Sequence, residues 1–239
     1  MLKIIDNKIL SAQKNMEKDL DLLINCDLEK KPILHFHIWE KPSLTYGYFA
    51  DIEKLIDKNV AEKEGLDLGK RPTGGGVLFH IWDLSFGFVL PKEDKRFSKN
   101  VLTNYGFVNK IVVDAINSFL NQKGIIDFKI EFLKEEKKRN KLNNFCMALP
   151  TMYDVLINGK KVVGAAQRQK NQGFLHQGTI SLIKPDEKLL KKVLKDERIL
   201  DAFYDSSFYL FDDFNIEDIK KEKELLKKAL IGSFEKSLL

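Results

Sequence analysis

Cysteine is nearly absent: 239 residues contain only Cys26 and Cys146. Two thiols so far apart give no disulfide framework and fit a reducing, cytoplasmic setting. The four histidines do not stand at structural-zinc spacing with them. No uninterrupted apolar run of about eighteen residues is present to span a membrane. The opening MLKIIDNKIL turns polar too early for a secretory signal. Proline (6) and glycine (14) are sparse and nowhere gather into a linker, and no internal repeat is visible, so one domain over residues 1–239 is expected. What is present is an ordinary globular balance, 44% apolar and 31% charged. The net charge of +5 comes from lysines interspersed with glutamates, which argues against a nucleic-acid stripe. An acidic protein partner fits, as does a lysine-rich surface without a role.

Periodicity gives the coarse order of elements. LKIIDNKIL reads as a first strand and SAQKNMEKDLDLLINC as a helix with an apolar stripe at Met16, Leu20, Leu23 and Ile24, ending on a packed Cys26. ILHFHIW and SLTYGYF read as strands on either side of the Lys41–Ser43 turn, and residues 51–65 as short helices. Strand-like runs surround the glycines in DLGKRPTGGGVLFHIWDLSFGFVL. A long helix is expected within residues 100–120, a strand near FKIEFL, a charged mobile loop over 134–144, and a strand at GFLHQGTISL. Helices over 187–195 and 216–230 close the chain.

Two segments carry candidate chemistry. RPTGGGVLFH, residues 71–80, has three successive glycines that admit positive φ and let a ligand approach peptide N–H groups. It is neither a Walker A loop nor a dinucleotide fingerprint. Arg71, Gly74, Gly75, Gly76 and His80 are its candidate substrate contacts, although such a triplet also serves as a plain turn. In FCMALPTMYDVLINGKKVVGAAQ, Asn158 to Lys161 form a tight turn that brings Lys161 back towards whatever precedes Met152. A thiolate beside a cation has a lowered pKa, the usual route to a catalytic cysteine. The spacing alone leaves Cys146 and Lys161 open to a blander reading, a packed thiol and a solvated amine.

RPTGGGVLFH, CMALPTMYD, GKKVVGAAQRQ and LHQGTI, in that order, resemble the lipoate–protein ligase and octanoyltransferase superfamily from about Trp39 to Ile183. The cysteine-dependent octanoyltransferases on a ligase-like frame are the nearest likeness. The resemblance implies an α/β (α+β) catalytic domain of the biotin/lipoate protein ligase type, mixed β-sheets flanked by helices, without a separate carboxyl-terminal accessory domain. Cys146 matches the acyl-accepting nucleophile, with Pro150, Thr151, Tyr153 and Asp154 in the places that follow it, and Lys161 matches the family lysine. The family sets a histidine directly before the glycine of the last motif. Here Gln177 precedes Gly178 and His176 stands one earlier, so His176 is given no chemical role.

The reaction so implied takes octanoyl from acyl carrier protein onto Cys146, then passes it to the lysine of a lipoyl domain or glycine-cleavage H-type protein. Lys161 would move the protons. Asp154, Gly164, Ala165 and Gly178 join the substrate contacts, with backbone N–H groups near Gly164–Ala165 and Gly74–Gly76 as oxyanion donors. No cofactor is expected, nor any nucleic acid or membrane partner. Three alternatives remain: amidotransfer between lipoylated proteins, an ATP-dependent lipoate ligase in which Asp154 could help hold Mg²⁺, and a non-catalytic acyl or lipoyl-domain binder.

Overall fold

The computed structural model describes residues 1–125, 128–132, 154–211 and 215–239. The charged loop over 134–144, Cys146, Pro150, Thr151 and Tyr153 lie outside the described residues.

Its frame is a five-stranded mixed sheet in the order β1 (Lys3–Ile5), β3 (Ile33–Phe36), β8 (Asp83–Pro91), β13 (Gly173–Ser181), β12 (Val163–Lys170). Only the β1–β3 pair is parallel. Period-two alternation sends Leu84, Phe86, Phe88 and Leu90 of β8 to one face, where α4 (Val101–Gln122) and α7 (Ile216–Leu238) cover them. On the opposite face α1 (Ala12–Ile24) and α2 (Cys26–Glu29) meet Ile33, Val89 and Leu175. A second sheet, β6 (Asp67–Lys70), β5 (Ser43–Tyr46), β7 (Val77–His80), packs with α3 (Lys58–Lys63), α5 (Glu187–Val193) and α6 (Glu197–Ser206) around Leu44, Ile56 and Leu190. Two small units complete the fold, the parallel pair β2 (Ile9–Leu10) and β4 (Ile38–Trp39), and the antiparallel set β9 (Ile130–Phe132), β10 (Val155–Ile157), β11 (Lys160–Lys161).

Local chemistry explains the boundaries. Ser11, Asn100 and Asn215 each accept a backbone N–H of the first turn of α1, α4 and α7. Asn158 and Gly159, at φ 51° and 76°, make the two-residue turn between β10 and β11. The expected α/β architecture is therefore present, with four differences in detail. Cys26 opens the short α2 rather than ending α1. The buried stripe of α1 is Ala12, Asn15, Met16, Asp19, Leu22 and Leu23, whereas Ile24 is exposed. The stripe is rotated because two polar residues on it find partners below. Helix α6 was not expected, and α7 continues to Leu238 because Leu226, Leu230 and Phe234 keep one face on the sheet.

Candidate active site

The turn at Asn158–Gly159 returns the chain so that Leu156 pairs with Lys161. Lys161 Nζ then lies 2.7 Å from Asp154 Oδ2, with side chains 3% and 0% exposed. A solvated surface amine is thereby ruled out. Taking both charges from water is costly, and their mutual attraction offsets that cost only while both remain. Tyr105 of α4 donates its hydroxyl to the Ala165 carbonyl at 2.8 Å and lies 3.4 Å from Asp154 Oδ1. In an antiparallel ladder the N–H and C=O of one residue point to the same side. The contact with Tyr105 therefore puts the Ala165 N–H on the edge of β12 away from β13, where a donor can meet a developing oxyanion.

Beside this edge, between the two sheets, a narrow pocket, partly open to solvent, is lined by Met16, His37, Thr45, Arg71, Leu78, His80, Ser85, Gly164, Ala165, Ala166, Gln177, Gly178 and Thr179. Of the residues singled out from sequence, Arg71, His80, Gly164, Ala165 and Gly178 meet here. Their roles differ. Arg71 is buried, donating to Thr45 Oγ1 at 2.8 Å, the Gly76 carbonyl at 2.7 Å and the Gly74 carbonyl at 3.3 Å, so it braces the glycine loop from within. Gly75 has φ 90°, and the close approach is supplied by Gly47, whose Cβ would stand 2.0 Å from the Gly75 carbonyl oxygen. Gly74 has open space where a Cβ would go. Gly178 lacks a Cβ because the Phe86 ring occupies that place, at 2.6 Å.

His80 is held at both nitrogens, Nε2 2.8 Å from Thr45 Oγ1 and Nδ1 2.7 Å from Asp83 Oδ2. Burial pulls its pKa below the usual imidazole value, against the opposing pull of Asp83. Ser85 and Thr179 also donate to Asp83 Oδ2, and the Asp83 carboxyl stays well below the carboxylate range because His80 and these donors outweigh its burial. A second buried carboxylate, Asp19 of α1, faces His35 Nδ1 at 2.7 Å, His37 Nε2 at 2.8 Å and Gln177 Nε2 at 2.6 Å. Its pKa too is held well below normal, the histidines prevailing over burial. Among the described residues, Asp19, His35 and His37 are the one group whose ligating atoms converge within 4.8 Å for a metal. The N···O distances are those of hydrogen bonds, and three donors already satisfy the carboxylate.

The reversed order at residues 176 and 177 has a structural consequence. Gln177 pairs with Gly87 and faces α1 and the cavity, while His176 pairs with Phe88 and faces the helices of the other side. His176 lies between the rings of Phe86 and Tyr105 with Nδ1 2.8 Å from the Gln167 amide, and burial pushes its pKa down to about 3. A neutral packing residue results. Sequence reasoning did not single out Asp19, His35, His37, Thr45, Thr73 or Tyr105. A signal existed for three of them: Asp19 interrupts the apolar face of α1, and His35 of β3 and His37 just beyond it stand at alternate positions.

Residues 11–207 match the family model of the lipoyl protein ligase A/B catalytic domain. The chain is 30% identical to octanoyltransferase LipM of Carboxydothermus hydrogenoformans, over 92% of this chain and 82% of that protein. It is 26% identical to octanoyltransferase LipM of Halalkalibacterium halodurans, over 99% and 86%. Among solved structures, lipoate-protein ligase A bound with ATP superposes with a TM-score of 0.72 at 22% identity, covering 99% of this chain and 85% of that one. The bi-partite lipoate protein ligase of Thermoplasma acidophilum gives 0.67 at 22% identity, covering 99% and 82%. At these identities the two structures establish the fold.

Proposed function

The chain belongs to the lipoyl protein ligase A/B catalytic domain family, and within it we propose that the protein is an octanoyltransferase of protein lipoylation working without ATP. The observation that carries this reading is the similarity, over nearly the whole chain, to octanoyltransferases of two organisms. The buried Lys161–Asp154 pair beside a cavity lined largely by small and apolar groups supports it. The donor is an octanoyl thioester on acyl carrier protein, and the acceptor is a lysine of a lipoyl domain or glycine-cleavage H-type protein.

Cys146 gives its thiol proton to the Lys161–Asp154 pair and attacks the thioester carbonyl, and the carrier leaves as a thiol on taking that proton back from the pair. The acceptor amine then attacks the Cys146 thioester, losing a proton through Lys161 while Cys146 leaves as a thiol. Asp154 holds Lys161 Nζ in place at 2.7 Å. The N–H of Ala165, on the outer edge of β12, serves the developing oxyanion, a donor typically contributing about 3 kcal/mol. Exchange of one thioester for another is nearly isoenergetic, and thioester to amide is downhill, so no nucleotide is required.

Intact-mass measurement after mixing the protein with octanoyl-carrier protein, without ATP, tests the proposal. One octanoyl group on the parent and none on Cys146→Ala is the expected result. Transfer that needs ATP, or undiminished transfer by Cys146→Ala, sinks it.

A further inference from the structure

His35, Gly87 and Gln177 lie side by side across β3, β8 and β13, and alternation puts His35 and Gln177 on the face towards α1. The missing side chain at Gly87 leaves the gap that Asp19 fills: a Cβ there would stand 2.4 Å from Asp19 Oδ1. From this seat the carboxylate, an acceptor only, fixes which way round the Gln177 amide sits. Nε2 must face Asp19, at 2.6 Å, and Oε1 is turned to accept from Thr73 Oγ1, also at 2.6 Å. Thr73 belongs to the glycine loop, and its carbonyl accepts the Tyr48 N–H at 2.8 Å. The loop supplies one wall of the cavity through Arg71, and the sheet supplies the facing wall through Gln177 and Ala166. Two side-chain hydrogen bonds thus tie the loop to the sheet, Thr73 to Gln177 of β13 and Arg168 Nη1 of β12 to the Pro72 carbonyl at 2.8 Å.

We propose that Asp19, Gln177 and Thr73 form a positioning relay that sets the width of the acyl cavity and thereby its discrimination by chain length. The inference rests on the octanoyltransferase reading, which makes this cavity the seat of the acyl chain. Buried amide and hydroxyl groups left without partners are costly, so the relay has a defined closed state. With the Thr73 hydroxyl removed, Gln177 Oε1 loses its donor and the loop keeps only the Arg168–Pro72 tie to the sheet, so this wall yields and admits bulkier chains. Asp19 touches no substrate in this scheme and acts through Gln177.

The test compares octanoyl and dodecanoyl thioesters of one carrier protein on the parent, Thr73→Val, Thr73→Ser and Asp19→Asn. Thr73→Val keeps the shape and loses only the hydroxyl. Its preference for octanoyl over dodecanoyl, as a ratio of kcat/KM values, falls about tenfold, while kcat on octanoyl stays within about threefold, as expected for a change in pocket fit. Thr73→Ser restores the parental ratio, and Asp19→Asn shifts it in the same direction as Thr73→Val. An unchanged ratio in Thr73→Val, or an equal loss in Thr73→Ser, overturns the relay. A parent inactive on both thioesters instead overturns the octanoyltransferase reading beneath it, so the two failures are distinguishable.

Discussion

On the face of the five-stranded sheet that meets α4 and α7, β8 presents Leu84, Phe86, Phe88 and Leu90, all essentially without solvent contact. On the face that meets α1, the same strand presents Asp83, Ser85, Gly87 and Val89, and β13 adds Gln177 and Thr179. Burial of one phenylalanine on the first face contributes about 2–3 kcal/mol and is indifferent to small shifts. A hydrogen bond on the second contributes about 1 kcal/mol net, yet leaving one buried partner unsatisfied costs about 1–3 kcal/mol and tolerates little displacement. The hydrocarbon face therefore supplies stability, and the polar face supplies geometry, at the cavity where geometry is needed. Substitutions on the two faces should accordingly separate in what they change.

The largest effect is expected at Lys161, at the end of the β10–β11 hairpin. Lys161→Ala should lower single-turnover transfer about 10³-fold, within the usual range for losing a proton-handling group. It should also destabilise the fold by about 3–5 kcal/mol, because Asp154 remains buried without its cation. Lys161→Arg, which keeps the charge but not a dissociable amine, should recover much of the stability and little of the rate. Near-normal transfer by the arginine variant would reduce Lys161 to an electrostatic role. The counterpart in the hydrocarbon layer is Phe88→Ala, which removes a fully buried ring packed on Phe174 and Phe234. Denaturant titration should show a loss of about 3–5 kcal/mol, with kcat of the folded fraction unchanged. A changed kcat would break the division between the faces.

Acid titration sharpens the same contrast. Asp19 and Asp83 have pKa values lowered by folding, so the unfolded chain binds the proton more readily. Their contribution is complete above the unfolded carboxylate value near 4 and is lost as pH falls below it. His80 and His176 also have lowered values, chiefly through burial, His176 to about 3. The unfolded imidazole takes its proton near 6.5, so stability already declines as pH drops below that point. Denaturation midpoints of His176→Gln between pH 7 and pH 4 should fall less steeply than those of the parent, His80 accounting for the remainder. Asp19→Asn should remove part of the decline below pH 4 and leave the upper window alone. An identical pH profile for all three proteins would show that none of these groups governs acid stability.

How far this division was legible in the sequence depends on the reach of the signals. The Asn158–Gly159 turn, the long α4 and the strands around the glycine loop rest on local periodicity and turn chemistry, and they were readable. The rotation of α1 was not, because Asp19 is buried only by virtue of His35, His37 and Gln177, distant in the chain, while Asn15 bonds the nearby Leu10 and Ser11 carbonyls. Arg71 and His80 were legible as members of the site, but not their task, since bracing a loop and binding a ligand call for the same residue types. Helix α6 escaped notice although Asp196 stands at the N-cap position directly before it and Ile199, Leu200 and Phe203 all reach the core.

A smaller effect is expected in the glycine loop between β6 and β7 of the second sheet. Gly75→Val forces a branched side chain to φ 90°, a strain of about 1–2 kcal/mol. Gly47→Ala pushes a methyl group into the Gly75 carbonyl. Both should raise KM for the acyl donor; the melting temperature of Gly75→Val stays within a few degrees of the parent, and that of Gly47→Ala falls further, because its methyl group meets backbone atoms that cannot swing aside. Unchanged kinetics in both variants would make the triplet a structural turn without influence on the cavity.

The smallest change concerns the thiol on the polar side of the sheet that takes no part in the site. Cys26 is fully buried beneath α2, its Sγ 3.1 Å from the Gln172 carbonyl and 3.0 Å from where a Cβ on Gly173 would stand. Burial, with Asp27 nearby, pushes its pKa up to about 11, so almost no thiolate exists at neutral pH and the group behaves as a small hydrophobe. Cys26→Ala should therefore leave acyl transfer unchanged and cost about 1 kcal/mol or less in a denaturant titration, through one lost weak hydrogen bond and a sulfur-sized void. It also leaves Cys146 as the sole thiol, which makes the octanoyl adduct measurable against a single candidate. Loss of transfer in Cys26→Ala at unchanged stability would show that α1 and α2 carry function beyond the relay through Asp19.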